Sequence, residues 1–180
     1  MPITVRAAAE RDARPIAEIH VGSWQVGYRG LIPDEILDTL SAENRERWWR
    51  RWLDSPPSPA FRVLVAELDG GVRGFASLGE TRDEDAAAPT GEIYAVYVDP
   101  DAWRRGIGAA LMERAEAELR ALGFADATLW VLDTNDRARR FYERCGWRAD
   151  GAVKRDRVGA EREGDEGVEI REVRYRISRP

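Results

Sequence analysis

From Val96 to Met112 the chain reads as a strand, a tight glycine-bearing loop and a helix in unbroken succession, and no other segment constrains the fold as much. Val96-Tyr97-Val98 has the β-branched and aromatic character of a strand. Asp99-Pro100 ends it, because proline has no N–H to give to a sheet. The helix runs from Gly108 to Leu122, with Leu111, Ala115, Leu119 and Leu122 in one stripe, Met112 beside them, and Gly123 as its stop. A strand that feeds a helix through so short a loop belongs to a layered architecture of sheet and helices. The junction also carries chemistry. Amides at a helix N-terminus lack acceptors and sit at the positive end of the helix dipole. Gly106 and Gly108 let an anion approach the main chain, and Arg104 and Arg105 add charge, so the segment reads as a diphosphate cradle. Gly-x-Gly alone is weak evidence and fits an ordinary glycine-rich turn equally well. Two better-known phosphate loops are excluded. The third glycine of a dinucleotide fingerprint would fall on Leu111, and the Gly-Lys-Ser/Thr ending of a P-loop is absent.

The remaining pattern surrounds this junction with further layers. Ile3–Ala7 alternates as a short strand. A helical stripe with Ile16, Ile19 and Trp24 runs from about Asp12 to Gly27, and Tyr28–Pro33 turns. A short helix carries Ile36, Leu37 and Leu40; Ser41 then caps a third helix, Ala42–Leu53, bearing Trp48, Trp49 and Trp52. The proline-rich run Asp54–Pro59 breaks it. From Phe61 the period becomes two: Phe61–Leu68, Asp69-Gly70-Gly71 and Val72–Leu78 form a hairpin. Asp83–Gly91 reads as a mobile acidic loop. In the strand Glu92–Val98, Ile93, Ala95 and Tyr97 are expected on one face and Glu92, Tyr94, Val96 and Val98 on the other. A strand Asp126–Leu132, a helix Asn135–Cys145 and a strand after Gly146-Trp147 follow. A flexible charged loop Arg155–Gly167 then leads to a last strand, Val168–Ile177. The expectation is a mixed sheet with helices on both faces, an α/β or α+β fold.

Bulk properties narrow the function. A net charge of −5 argues against nucleic acid as a partner. No targeting segment opens the chain and no apolar run approaches the ~20 residues of a membrane span, so a cytoplasmic location without membrane attachment is expected. The one cysteine, Cys145, forms no intrachain disulfide and is better read as a small buried residue than as a nucleophile. His20 is the one histidine, with no partner at ligand spacing, so no metal is expected and a structural role is favoured.

Two runs carry a family resemblance. Val98-Asp99-Pro100 with Arg104-Arg105-Gly106-Ile107-Gly108-Ala109-Ala110-Leu111 is similar to the acyl-CoA motif of the GNAT N-acetyltransferases. Asn135-Asp136-Arg137-Ala138-Arg139-Arg140-Phe141-Tyr142 through Gly146-Trp147 resembles that family's second conserved segment, in the expected order and one helix and one strand downstream. Ile19-His20, Trp24 and Tyr28–Pro33 resemble the acceptor-side helices of bacterial members, so the resemblance spans nearly the whole chain.

The resemblance implies the GNAT fold, with a sheet splayed at its centre, and one acetyltransferase domain over residues 1–180. Its parts are acceptor-side helices at about 9–53, an acyl-CoA core at about 61–150 and a C-terminal β-hairpin at about 147–178. It implies acetyl-CoA as cosubstrate. The pantetheine arm pairs with Val96, Tyr97 and Val98, and the diphosphate lies on Arg104, Arg105, Gly106, Ile107, Gly108 and Ala109. Asn135 faces the pantetheine, and Tyr142 protonates the leaving thiolate. Trp103 departs from the family's usual Gln or Arg three residues before the first glycine, which leaves Arg104 to compensate. Trp130 stands where members that acetylate ribosomal-protein N-termini carry glutamate. An alkylamine has a pKa near ~10.4, so a base is expected. Glu92 leads, with Glu80 and Asp133 as alternatives and a strand-edge carboxylate as the plain reading of Glu92. Trp24, Tyr28 and Tyr94 are candidate substrate contacts, although most of the aromatic residues of this N-terminal region are expected to be core or dimer contacts. The expected acceptor is a small primary amine. A protein or peptide acceptor, a non-catalytic CoA-binding regulatory domain and a glycine-looped protein indifferent to CoA are the rivals. Dimers are common in the family, and Val168–Ile177 is the segment expected to pair in a homodimer.

Overall fold

The computed structural model describes residues 2–86, 89–159 and 167–178. Its sheet has seven strands in the order β1-β2-β3-β4-β5-β7-β6. They are β1 (Thr4–Ala7), β2 (Arg62–Leu68), β3 (Gly71–Glu80), β4 (Thr90–Val98), β5 (Asp126–Leu132), β6 (Arg148–Val158) and β7 (Val168–Ser178). Neighbours are antiparallel except β4 and β5, which run parallel. The helices are α1 (Ala13–Gly27), α2 (Asp34–Asp38), α3 (Ala42–Asp54), α4 (Ile107–Ala121) and α5 (Asp136–Arg144).

Local sequence explains most of these boundaries. The β2–β3 turn is built on Asp69 (φ 55) and Gly70 (φ 81), the paired left-handed residues of a two-residue hairpin. Ser41 caps α3 by accepting the Asn44 amide at 3.2 Å. The apolar stripes bury opposite faces of the sheet. Ile16, Ile19, Trp49, Phe61, Val65 and Phe75 make one core between α1, α3 and the sheet. Leu111, Met112, Ala115 and Leu119 of α4 make the other with Leu64, Leu78, Ile93 and Leu129, and α5 lays Phe141 and Tyr142 against it. Each fully buried side chain of this size stabilises by about 1.5–3 kcal/mol.

The sheet is splayed at its centre. β4 and β5 pair only where Thr90, Gly91 and Glu92 meet Asp126, Ala127 and Thr128. On its other edge β4 stays paired with β3 to Val98, but the register shifts: Ser77 faces Ala95 and Leu78 faces Ile93, so Tyr94 is an extra residue. Such a bulge bends its strand and sharpens the local twist. It also corrects the expected alternation. Ile93, Val96 and Val98 share the α4 side, whereas Tyr94, Ala95 and Tyr97 pack on the α1–α3 side.

Two loops are more ordered than expected. Strand β6 continues through Arg155 to Val158, which pairs with Val168, so Arg155–Val158 is strand rather than loop. Cross-strand ion pairs such as Lys154–Glu172 at 3.1 Å and Arg155–Glu169 at 3.2 Å lace the charged ribbon together. The rest of that expected loop, residues 160–166, lies outside the described residues. The acidic segment is held by a buried arginine. Arg174, 7% exposed, donates to both oxygens of Asp85 at 2.6 and 2.9 Å and to Asp150 at 2.7 Å. Asp83 accepts from the Trp130 indole at 2.8 Å and from Thr128 at 3.2 Å. Asp83 and Asp85 are thus neutralised and fixed; residues 87–88 lie outside the described residues.

Candidate active site

Where β4 and β5 part, a cleft of about 740 Å³ opens between them. One wall is the unpaired edge of β4 from Ile93 to Val98; Trp130 of β5 and the first turns of α4 and α5 close the others. The start of α4 is bare. Gly106 (φ 86) leads into it, no side chain caps it, and its first turn holds no acidic residue. Its leading amides therefore face the cleft region without acceptors, at the positive end of the dipole. Arg104, also left-handed (φ 62), lines the cleft beside them. Gly108 has a packing reason: a Cβ there would stand 3.1 Å from the Phe141 ring. The second helix start is capped. The Asn135 side chain accepts the Ala138 amide at 3.1 Å, and the buried Asn135 still lines the cleft.

Most of the predicted site residues meet here. Val96, Tyr97, Val98, Arg104, Gly106, Ile107, Gly108, Ala109 and Asn135 line the cleft, as do Tyr28, Tyr94 and Tyr142. Burial raises the Tyr142 phenol above its ordinary 10.0, with the nearby Tyr97 and Cys145 adding to the effect, so it stays protonated at neutral pH. Tyr28 is raised well above 10.0 by burial and by its neighbour Tyr97. Tyr94 directs its hydroxyl to the Glu80 carbonyl at 2.5 Å, and its phenol is pushed up to about 12 by burial and the charge of Glu92.

Three predicted residues do not join them. Arg105 turns out to the surface and pairs with Asp69 at 2.8 Å. Trp24 packs edge-on to Tyr28, 4.9 Å between ring centroids, in the apolar cluster under α2, and does not line the cleft. Glu92 is 1% exposed and held by Arg82, whose amide donates at 2.9 Å and whose guanidinium binds the other carboxylate oxygen at 2.5 Å. Glu92 is itself in the last β4–β5 pair, opposite Thr128, before the strands part, and its carboxylate is committed to Arg82 instead of the cleft. Asp133, a reserve candidate, is paired with Arg171 at 2.9 Å. His20 is structural: it stacks on Tyr97 at 5.1 Å, accepts from the Trp49 indole at 3.3 Å, and burial pushes it down to about 3. Trp48, Trp49 and Trp52 all belong to the α1–α3 core.

Other cleft residues escaped the sequence reading. The Trp103 indole donates to the Val98 carbonyl at 2.8 Å, and Ser23 donates to the same oxygen at 3.1 Å. Arg137 stacks over the Trp103 ring, its Cζ 3.8 Å from the centroid, and lines the cleft with Arg144. The available signal for Arg137 was its position. A cation in the first turn of a helix opposes the dipole and needs some other reason to be there.

Comparison with known proteins agrees with this geometry. The sequence model of the acetyltransferase (GNAT) family matches residues 17–147. The uncharacterized N-acetyltransferase YuaI of Bacillus subtilis (strain 168) is 36% identical over 135 residues, which span 74% of this chain and 73% of that protein. The L-amino acid N-acyltransferase MnaT of Escherichia coli (strain K12) is 34% identical over 121 residues, 67% of this chain and 65% of that one. Among solved structures, the PaiA N-acetyltransferase of Thermoplasma acidophilum in complex with coenzyme A superposes with a TM-score of 0.72 over 99% of this chain and 100% of that one. Its identity is 20%, so that likeness is one of fold.

Proposed function

Because the chain belongs to the GNAT acetyltransferase family, we propose that it transfers an acetyl group from acetyl-CoA to a primary amine of a small molecule, by direct attack within a ternary complex. One observation carries the reading: the cleft between the parted strands has an uncapped helix N-terminus at its rim and a protonated phenol, Tyr142, in its wall. An extended pantetheine arm supplies the missing strand along β4. The Val98 carbonyl already accepts from Ser23 and Trp103, and the Tyr97 main chain is turned to β3, so the pairing falls at Val96 and the Val98 amide. Asn135 flanks the arm, and the diphosphate rests on the amides from Arg104 to Ala109, with Arg105 contributing main chain alone.

The chemistry needs no covalent enzyme intermediate. An acceptor ammonium, pKa near ~10.4, first gives a proton to water. The neutral nitrogen attacks the thioester carbonyl; the C–N bond forms and the C–S bond breaks. Tyr142 delivers a proton to the leaving sulphur and regains one, through water, from the newly acylated nitrogen. Glu92 serves as the anchor of Arg82 and not as a direct base. Tyr28 and Tyr94 are the acceptor-side contacts. Helices 9–53 and the strands over 61–178 work as one acetyltransferase unit. Similarity to a protein named for L-amino acid acylation supports a small amine over a protein N-terminus.

The test is calorimetric titration with acetyl-CoA, CoA and NADH, followed by an amine panel read by thiol release. Micromolar binding of both CoA forms with turnover of small amines is expected. Turnover of peptides alone would replace the acceptor class, binding without turnover on any amine would make the chain a CoA-binding regulator, and no binding at millimolar acetyl-CoA would sink the reading.

A further inference from the structure

Arg137 has a position that its own helix does not explain. It sits in the first turn of α5. Its guanidinium sits over the Trp103 ring, with Cζ 3.8 Å from the centroid. On its other side one nitrogen lies 2.9 Å from where a Cβ on Gly27, the last residue of α1, would stand. Trp103 in turn is fixed by its indole bond to Val98 at 2.8 Å. Three elements therefore build a slot for this one cation: the ring below, the bare glycine beside it and the cleft in front. Among the described residues no carboxylate pairs with Arg137. Partial burial lowers its pKa, with the Tyr28 phenol the group that opposes the shift. Other arginines among the described residues behave otherwise; Arg6, Arg14, Arg29, Arg50 and Arg174 each bind one or more carboxylates. A stacked, partly exposed cation left without a counter-charge at a cleft rim is arranged for an anion that arrives with a ligand.

We propose that Arg137, carried on Trp103 and admitted by Gly27, is a phosphate-binding residue of this cleft, holding the diphosphate of the cosubstrate beside the α4 amides. The inference rests on the acetyl-CoA reading above. It gives Trp103 a purpose: the residue before the glycine loop touches no phosphate itself but presents the guanidinium of another helix to the same group. The loop then needs no cationic or amide side chain of its own at that position, because the charge comes across the cleft from α5.

The experiment compares affinities, by calorimetry, for acetyl-CoA and for S-acetylpantetheine, which lacks every phosphate. The wild type is expected to prefer acetyl-CoA strongly. In Arg137→Gln that preference falls by about 10-fold or more, the scale of one charge-assisted hydrogen bond. Gly27→Ala, which pushes the guanidinium off its seat without removing it, lowers the same ratio. Thermal unfolding of both variants verifies that they fold. An unchanged ratio in Arg137→Gln overturns the proposal, as does an equal loss for the two ligands, which marks Arg137 as structural. A wild type that binds neither ligand removes the cosubstrate reading itself, an outcome distinct from the other two. Dephospho-CoA assigns the contact: a loss seen with acetyl-CoA and absent with its dephospho form would move it to the 3′-phosphate and overturn the diphosphate assignment.

Discussion

In the proposed mechanism Tyr142 is the residue on which catalysis and mere binding part. Its phenol is held protonated by burial, so Tyr142→Phe is expected to lower kcat by about 100-fold or more while acetyl-CoA affinity stays within a small factor. Stopped assays alongside calorimetry separate the two. His20 sets a different dependence. Its folded pKa is pushed from 6.5 down to about 3 by burial among Trp24, Trp49, Phe75 and Tyr97, with Arg45 adding like-charge repulsion. Between those values the unfolded chain binds a proton that the folded chain refuses. Stability is therefore full above pH 6.5 and falls by about 1.4 kcal/mol per unit as pH drops below it. Denaturant unfolding at pH 7 and pH 5.5 reads this slope, and His20→Gln should flatten it. At this scale the sequence was legible where chemistry forces a residue type. Gly106, Gly108, Asn135 and Tyr142 all stand in the cleft. It did not tell that the side-chain charges of Glu92 and Arg105 are taken up by Arg82 and Asp69. It was silent on Arg137, because stacking on Trp103 joins positions far apart in sequence.

Elements were read well wherever a period persisted, and least well where tertiary structure breaks one. The hairpin at Asp69-Gly70 and the capped helix at Ser41 follow from local chemistry. The bulge at Tyr94 does not, since an extra residue against β3 leaves no mark in an apolar strand that already lacks strict alternation. The end of β6 was missed for a related reason: charged residues look like loop until their cross-strand partners are known. The start of α4 supplies the prediction at this scale. Gly108→Val places a Cβ 3.1 Å from Phe141 and further methyls at the mouth of the cleft. Acetyl-CoA affinity should drop at least about 10-fold, with a stability cost of about 1–3 kcal/mol from overpacking, read by calorimetry and by denaturant unfolding. Wild-type affinity in that variant would remove the loop from the binding site.

Across the whole molecule, the far half of the sheet is tied to the acidic segment by Arg174. Removing the guanidinium in Arg174→Met strands Asp83 and Asp150, whose side chains are little exposed, and frees the exposed Asp85; a loss of up to about 3 kcal/mol is expected. Hydrogen exchange over Thr81–Ala86 should accelerate in the same variant if the pairing is what fixes that segment. The three residue pairs that join β4 to β5 have a larger consequence. No strand crosses from one side of them to the other: β1 to β4 come from residues 4–98, and β5, β7 and β6 from residues 126–178. Each side can finish its ladder during synthesis without waiting for the other, and α4 is the tether between two pages of one book. What closes the book is the narrow spine at Thr90–Glu92, the Arg174 pairing and the core under α4, together with whatever molecule lies between the pages. A ligand present at about 100 times its Kd would add roughly 2.7 kcal/mol to the closed form alone. The cosubstrate would then govern how cooperatively the two halves melt, as well as what the enzyme does.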